Sequence, residues 1–152
     1  MQLSPFLSGL MLALAASPAF ACSVSASLIP AQGTLTLSAD DTTLASDNPG
    51  GASVLVTVTN NPLTDGAYTI SITAPTLVTS PNGFSPTALE TSYLAVPVGV
   101  QLPVTQGYTT SNTSFPNLRL TTAVAITLNN RITATGGFRP GSYSTRTTVT
   151  CS

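Results

Sequence analysis

Cysteine is the residue type in this 152-residue chain with the most distinctive chemistry, and the sequence contains two of them, Cys22 and Cys151. In an oxidising compartment two such residues pair by default. The bond can close within one chain or join two chains, and the sequence leaves both arrangements open. A bond within the chain would close nearly the whole length into one loop, which is worth about 4 kcal/mol in a chain-entropy treatment.

Residues suited to catalysis are scarce. The chain has no histidine and no lysine, so it lacks the usual general base and the usual Schiff-base nucleophile. A Ser-His-Asp arrangement cannot form. Asp40 and Asp41 are adjacent, and on a strand they would face opposite sides. We therefore predict a protein without enzymatic activity and without a cofactor.

A Ca²⁺ site is the metal site that the acidic residues suggest, because hard cations take several oxygen ligands. The candidate ligands are Asp40, Asp41, Asp47 and Asn48. Their spacing matches no calcium loop, and Asp and Asn also form hydrogen-bonded turns. We predict a solvated turn here and no metal.

The first 21 residues have the pattern of an export signal. Residues 7–16 form an apolar run, and Ala19-Phe20-Ala21 is a small-x-small cleavage site. The run is too short to span a bilayer. We expect residues 22–152 to form one mature domain in the periplasm, at the cell surface or outside the cell. Cys22 directly follows the cleavage site, so lipidation of this residue is a third fate for it.

Charge is sparse throughout the chain, with five acidic and four basic residues. Four arginines do not make the clustered basic face of a nucleic-acid-binding protein. Sheet proteins commonly protect their edges with charge, although proline and bulges also serve. Two interpretations stay open, a polar but uncharged monomer and a protein whose edges are occupied by other chains.

Alternating apolar residues predict short strands and no helix of useful length. We predict an all-β protein, an antiparallel immunoglobulin-like β-sandwich of about seven to nine short strands. The predicted strands cover residues 22–28, 33–38, 52–59, 67–73, 76–79, 93–104, 118–128 and 140–152.

The predicted connections follow from turn residues. Residues 40–51 are expected to form a polar loop, residues 60–66 a hairpin connection, and Asn129-Asn130 a turn. Residues 106–116 are expected to form a loop that holds Tyr108 and Phe115, which are candidates for partner recognition because loops often carry binding functions. The alternative, which we favour, is that both rings pack into the end of the sandwich. If Cys22 and Cys151 bond, the first and last strands should lie side by side and antiparallel.

Residues 24–30 and 140–144 resemble parts of the pilin-like subunits of chaperone-assembled fimbriae, and the Thr/Ser/Val-rich, lysine-poor body between them resembles spore-coat-U-type secreted β-sandwich domains. Residues 24–30 are similar to the alternating N-terminal strand of such subunits, and residues 140–144 to their Gly-x-Tyr C-terminal strand. The resemblance implies a sandwich that lacks a strand, which a periplasmic chaperone and then the next subunit supply. It implies donor side chains at Val24, Ala26 and Leu28, and an acceptor groove lined by Tyr143, Thr145, Thr147 and Val149.

From these observations we expect a non-enzymatic structural subunit of a bacterial surface fibre, pilus or coat, which assembles into a polymer. The alternative is a monomeric secreted or periplasmic binding or accessory module with a disulfide-closed sandwich. A Cys22–Cys151 bond within one chain would hold the N-terminal strand at home, whereas the same bond between neighbours would link a polymer covalently.

Overall fold

The computed structural model describes residues 22–26, 32–61, 67–99, 101–117 and 122–152. These residues form twelve strands and no helix. The strands are β1 Ser23–Ala26, β2 Thr36–Leu37, β3 Thr43–Ala45, β4 Val54–Thr59, β5 Tyr68–Ile72, β6 Thr76–Thr79, β7 Ala88–Val98, β8 Val104–Thr109, β9 Thr113–Asn117, β10 Ala123–Thr133, β11 Ser144–Arg146 and β12 Val149–Cys151.

The first layer of the structure is a seven-stranded antiparallel sheet built around β10. On one side of β10 lie β7 and then β8. On its other side, β4 pairs with the first half of β10 and β3 with its end. β1 completes this sheet beyond β4, and β2 completes it beyond β3. β10 is therefore hydrogen-bonded along both edges, which explains why its sequence has the strongest alternation.

The second layer contains β9, β5 and β12 in that order, with β6 and β11 continuing the ladder as a separate antiparallel pair. The pairs Ile72–Val149 and Thr76–Arg146 show that the last strand follows β5 and then β6. β11 and β12 are thus two halves of the predicted last strand, separated by Thr147 and Thr148.

The core lies between the two layers. Alternate residues of β4, β7 and β10 face those of β5 and β9, as half-buried strands require. Tyr93 from the first layer contacts Phe115 from the second, with 5.6 Å between ring centroids. The fully buried apolar side chains include Val58, Ile70, Ile72, Ala95, Val124, Ile126 and Ile132.

The disulfide connects the two layers at one edge. Cys22 precedes β1 and Cys151 ends β12, and the two residues are bonded with their Cα atoms 6.1 Å apart. β1 pairs with β4 and β12 pairs with β5, so these strands are edges of different sheets. A bond within the chain, one of the two arrangements that the sequence leaves open, is present, but the side-by-side pairing of the first and last strands expected from such a bond is wrong. Facing edges of stacked sheets bring two Cα atoms close enough for a disulfide without any shared ladder.

The predicted fold class, an all-β antiparallel sandwich, is confirmed. The predicted hairpin between the strands at 52–59 and 67–73 is wrong, because β4 and β5 lie in different layers. The strand count exceeds the expected seven to nine because the predicted last strand is split into β11 and β12 and two predicted loops contain strands. Residues 40–51 include β3, and residues 106–116 include parts of β8 and β9.

The predicted turn at Asn129-Asn130 is also wrong, since β10 continues through both residues to Thr133. Asparagine favours turns only where no ladder holds it. Here β7 pairs with β10 over the whole length of both strands and keeps the backbone extended.

Removing the disulfide should lower the free energy of unfolding by about 4–5 kcal/mol, because 129 residues separate Cys22 from Cys151. The double variant C22S/C151S compared with the oxidised wild type in urea denaturation measures this difference. The reduced wild type should match the double variant. Equal unfolding free energies for the oxidised protein and the double variant would contradict the expectation.

Ile126→Ala should destabilise the protein by about 2–5 kcal/mol, because Ile126 is fully buried between the layers. Leu94→Ala removes an apolar side chain that is 43% exposed on the outer face of β7, and it should change stability by about 0.5 kcal/mol or less. Chemical denaturation of both variants gives the comparison. Similar losses in the two variants would argue against the assignment of the two faces.

Candidate functional site

A groove of about 930 Å³ opens along one side of the sandwich, between β1 and the last strand. In the part of the chain that the structure describes, neither β1 nor β12 has a second strand beside it. We call this cavity the edge groove. Its apolar lining residues are Val24, Leu35, Val54, Val56, Val78, Leu128 and Val149.

All four residues predicted to line an acceptor groove do line this cavity. Tyr143, Thr145, Thr147 and Val149 occupy alternate positions of the last strand and are half-buried. Alternation places them on one face of the strand, and this face turns towards the first layer. Ser144, Arg146 and Thr148 also line the cavity, and the ladder between β6 and β11 is irregular between Ser144 and Thr145, so alternation alone does not select the residues of the groove.

The predicted donor residues have a different place. Val24 also lines the edge groove, and it belongs to β1, which is paired with β4. Ala26 lies in the same strand opposite Val56. Leu28 lies outside the described residues. The pairing with β4 and the disulfide fix β1 in its own subunit. Donation of this strand to a neighbouring subunit therefore stays a prediction.

Asn130 fixes the distance between the last strand and the first layer. Its side-chain amide donates a hydrogen bond to Thr145 Oγ1 at 3.0 Å, and its Oδ1 accepts one from Thr147 Oγ1 at 3.0 Å. These bonds replace the apolar contact that would otherwise draw the layers together. The edge groove is therefore held open by polar contacts that are satisfied within the protein.

An aromatic cluster lies beside one end of the groove. The Tyr143 ring packs edge-on against Phe84 and Phe138, with centroids 4.8 Å and 5.4 Å away. The Tyr143 hydroxyl donates to the Arg139 carbonyl and accepts from the Arg139 amide. Gly141 precedes this strand at φ 147°, and a Cβ there would meet the Pro81 ring.

The disulfide lies at the opposite end of the groove, where Cys22 is two residues before Val24 and Cys151 is two residues after Val149.

The groove surface is nearly uncharged. Among the described residues that line it, Arg146 is the one with a charge, and the others are apolar, hydroxyl or amide residues. Among the described strands, β1 is paired with β4 alone and β12 with β5 alone, and both flank this surface. The arrangement suits an extended peptide segment, whose backbone can pair with an edge while its side chains enter the groove.

Tyr108 and Phe115 were predicted to lie in a loop, and this placement is wrong for both, whereas the alternative that the ring packs into the sandwich is borne out for Phe115. Phe115 lies on β9 and is 5% exposed in the core. Tyr108 lies on β8, where the guanidinium of Arg131 stacks 3.9 Å from its ring centroid. The polar character of residues 106–116 predicted a loop, but Thr and Ser also suit strands with one solvated face.

Tyr108 belongs to a charged cluster outside the groove. Its hydroxyl donates to Asp47 Oδ1 at 2.6 Å, and Arg131 forms an ion pair with Glu90 at 2.9 Å. Burial of the Tyr108 hydroxyl raises its pKa well above the ordinary value, and the Asp47 carboxylate raises it further. These four groups satisfy one another and leave no open position for a ligand.

The acidic turn near β3 is organised by local hydrogen bonds. Asp40 accepts from Thr42 Oγ1, and hydrogen bonds from Ser38 and Thr42 lower the pKa of its carboxyl. Asn48 donates to the Thr36 carbonyl at 2.8 Å. No cluster of three or more potential metal ligands of the His, Cys, Asp or Glu type occurs among the described residues.

Asn130 and Val78 are among the groove residues that sequence reasoning did not assign to a binding surface. Asn130 has the same parity as Val124, Ile126 and Leu128, so extending the alternation past the predicted turn would have placed it on the inner face. Val78 lies in the short strand β6 and is 52% exposed at the groove. No local signal distinguishes it from a surface residue.

Helices that are long and apolar enough to cross a membrane are absent from the described residues. Comparison of the chain with protein-family models, with curated proteins and with solved structures gave no match. The case for a function therefore depends on the geometry of the groove and on the sequence.

Asn130→Ala should lower the free energy of unfolding by about 1–3 kcal/mol, because the hydroxyls of Thr145 and Thr147 lose their partner. It should also speed amide hydrogen exchange in β11. Thr150→Ala, at an exposed position of β12, is the control and should change neither quantity measurably. Unchanged exchange in β11 of the Asn130 variant would contradict the proposal that the Asn130 hydrogen bonds hold the last strand in place.

Tyr108 should make stability pH-dependent in alkaline solution. The fold raises the pKa of Tyr108 above its value of about 10 in the unfolded chain. The contribution of Tyr108 to the free energy of unfolding is therefore present below about pH 10 and is lost as the pH rises above it. The free energy of unfolding of the wild type should therefore fall more steeply above pH 10 than that of Tyr108→Phe. The chain has no lysine to titrate in this range. Parallel curves would contradict the prediction.

Proposed function

We propose that this chain is a non-enzymatic structural subunit of a bacterial surface fibre or coat, and that the edge groove receives an extended segment from a neighbouring subunit. The groove is the observation that carries the proposal. Its dimensions, its apolar floor and the strand edges beside it match what strand addition needs. The segment would complete the second layer by pairing with the free edge of the last strand.

The composition supports the same function. A sheet protein with few charges and no lysine has little to keep other strands away from its edges. Its net charge of −1 favours association rather than repulsion. In an exported chain, a periplasmic chaperone would occupy the edge groove until a subunit replaces it.

A monomeric binding or accessory module is the second candidate, and the disulfide within the chain favours it. The bond ties β1 to the last strand and prevents β1 from leaving without reduction or exchange. In this case the edge groove would bind the extended segment of a partner that is not another copy. The two candidates share the site and differ in whether the chain polymerises.

Val78→Lys tests whether the groove mediates assembly. Val78 is half-exposed, so the fold tolerates a lysine, but any segment in the groove would have to desolvate the new charge. We expect Val78→Lys to abolish polymers in surface-sheared fractions. Thr150→Lys places the same charge on the outer face of the second layer and should leave them intact.

The polymers are measured on gels of unboiled and boiled samples, each run with and without reductant. A ladder that collapses on boiling indicates non-covalent strand addition, and one that collapses only with reductant indicates disulfides between subunits. A single monomer band under all conditions for the wild type would overturn the fibre function. Equal ladders for wild type and Val78→Lys would overturn the role of the groove.

A further inference from the structure

The outer face of the first layer carries an exposed apolar surface that the edge groove does not explain. Three rows of residues across β4, β10 and β7 form it, and β10 supplies Ala123, Ala125 and Thr127. We call this surface the apolar face. Its large side chains are Leu55, Leu94, Val96 and Val98, and each is more than 40% exposed.

No charged residue occurs in these three rows. Leu55 and Leu94 flank Thr127, and Val96 and Val98 lie beside Ala125 and Ala123. The polar members of the rows on β4 are Thr57 and Thr59. Two copies of this surface would therefore meet without any like-charge contact.

The charges of the outer face begin beyond the next row. Asn129 pairs with Ser92, and only then does Arg131 pair with Glu90. That arginine and that glutamate are already bound to each other. The face thus has a neutral apolar end and a charged end whose cation is neutralised internally.

The sequence of β7 indicates that the apolar face is covered in the working form of the protein. From Tyr93 to Val98 every residue is apolar, on both sides of the strand. Strands with one solvated face normally alternate with polar residues, whereas continuous apolar runs occur in strands buried on both faces. Here Tyr93 and Ala95 face the core, and the other side of β7 faces solvent.

We propose that the apolar face binds the apolar face of a second copy, and that this contact joins neighbouring fibres side by side. The inference rests on the proposed function. Three rows across three strands cover roughly 300 Å² per copy, from about 4.8 Å between strands and about 3.4 Å per residue. A stable pair of proteins buries about 800 Å² on each partner, so one contact alone is weak.

The small area of the apolar face favours a second copy of the chain over a soluble partner. A soluble partner that binds once would gain too little binding free energy from this surface to stay bound. Copies repeated along a fibre add their contacts, because only the first contact costs translational and rotational entropy. Self-contact also explains the absence of charge, because any charge in these rows would face its own copy. The isolated chain is then a monomer when dilute, and the assembled fibre forms bundles or sheets.

Val98→Lys tests the proposal with Thr150→Lys as the charge-matched control. Val98 is 57% exposed, so the substitution leaves the fold intact but puts two lysines opposite each other in every contact. Electron microscopy of sheared fibres should show bundles for the wild type and the control, and single fibres of normal length for Val98→Lys. Bundling of the Val98 variant equal to that of the wild type would overturn the proposal.

A second measurement uses the purified chain and needs no fibres. Sedimentation at increasing concentration should show weak self-association of the wild type and of Thr150→Lys, with a dissociation constant at least about tenfold higher for Val98→Lys, since an unpaired charge is costly to desolvate. Equal association of all three proteins would overturn the apolar face as a contact. If this difference appears while the wild type forms no surface polymer, the apolar face stands and the fibre function fails.

Discussion

The Cys22–Cys151 bond is the constraint on which the open side of this molecule depends. It joins the edges of two different sheets, and it does so at one end of the edge groove. On the same side Val54 and Val149 pack against the core, and Asn130 forms two hydrogen bonds to the last strand. The disulfide joins the two layers at one end, and the hydrogen bonds of Asn130 connect them farther along. Between these two connections the layers enclose a groove.

The rest of the sandwich is built in the opposite way. Over the first part of β10 the layers meet through buried aliphatic and aromatic side chains, such as Val124 and Ile126 packed with Tyr93 and Phe115. Burial on that scale is the main source of stability in a domain of this size. The molecule therefore divides into a closed half that holds the fold and an open half that is free to bind.

The scarcity of charge acts on both candidate surfaces. In the edge groove it gives an incoming segment an uncharged path, with Arg146 as the described exception. On the apolar face it removes the repulsion that would keep copies apart. The few charges of the described chain are instead used in local structure, such as the Arg131–Glu90 pair and the hydrogen bond from Tyr108 to Asp47. A polymer with two kinds of contact, end to end and side by side, is consistent with this distribution.

The sequence by itself determined the fold class and the faces of the long strands, because alternation is a local property that each strand carries in its own residues. Tertiary structure decided which strands are neighbours. The disulfide joins layers rather than paired strands, β4 and β5 do not form a hairpin, and Asn130 spans the layers instead of turning the chain. Pairing depends on residues far apart in the chain, and short polar runs such as residues 106–116 suit a loop or a strand equally well until a neighbouring strand satisfies their backbone.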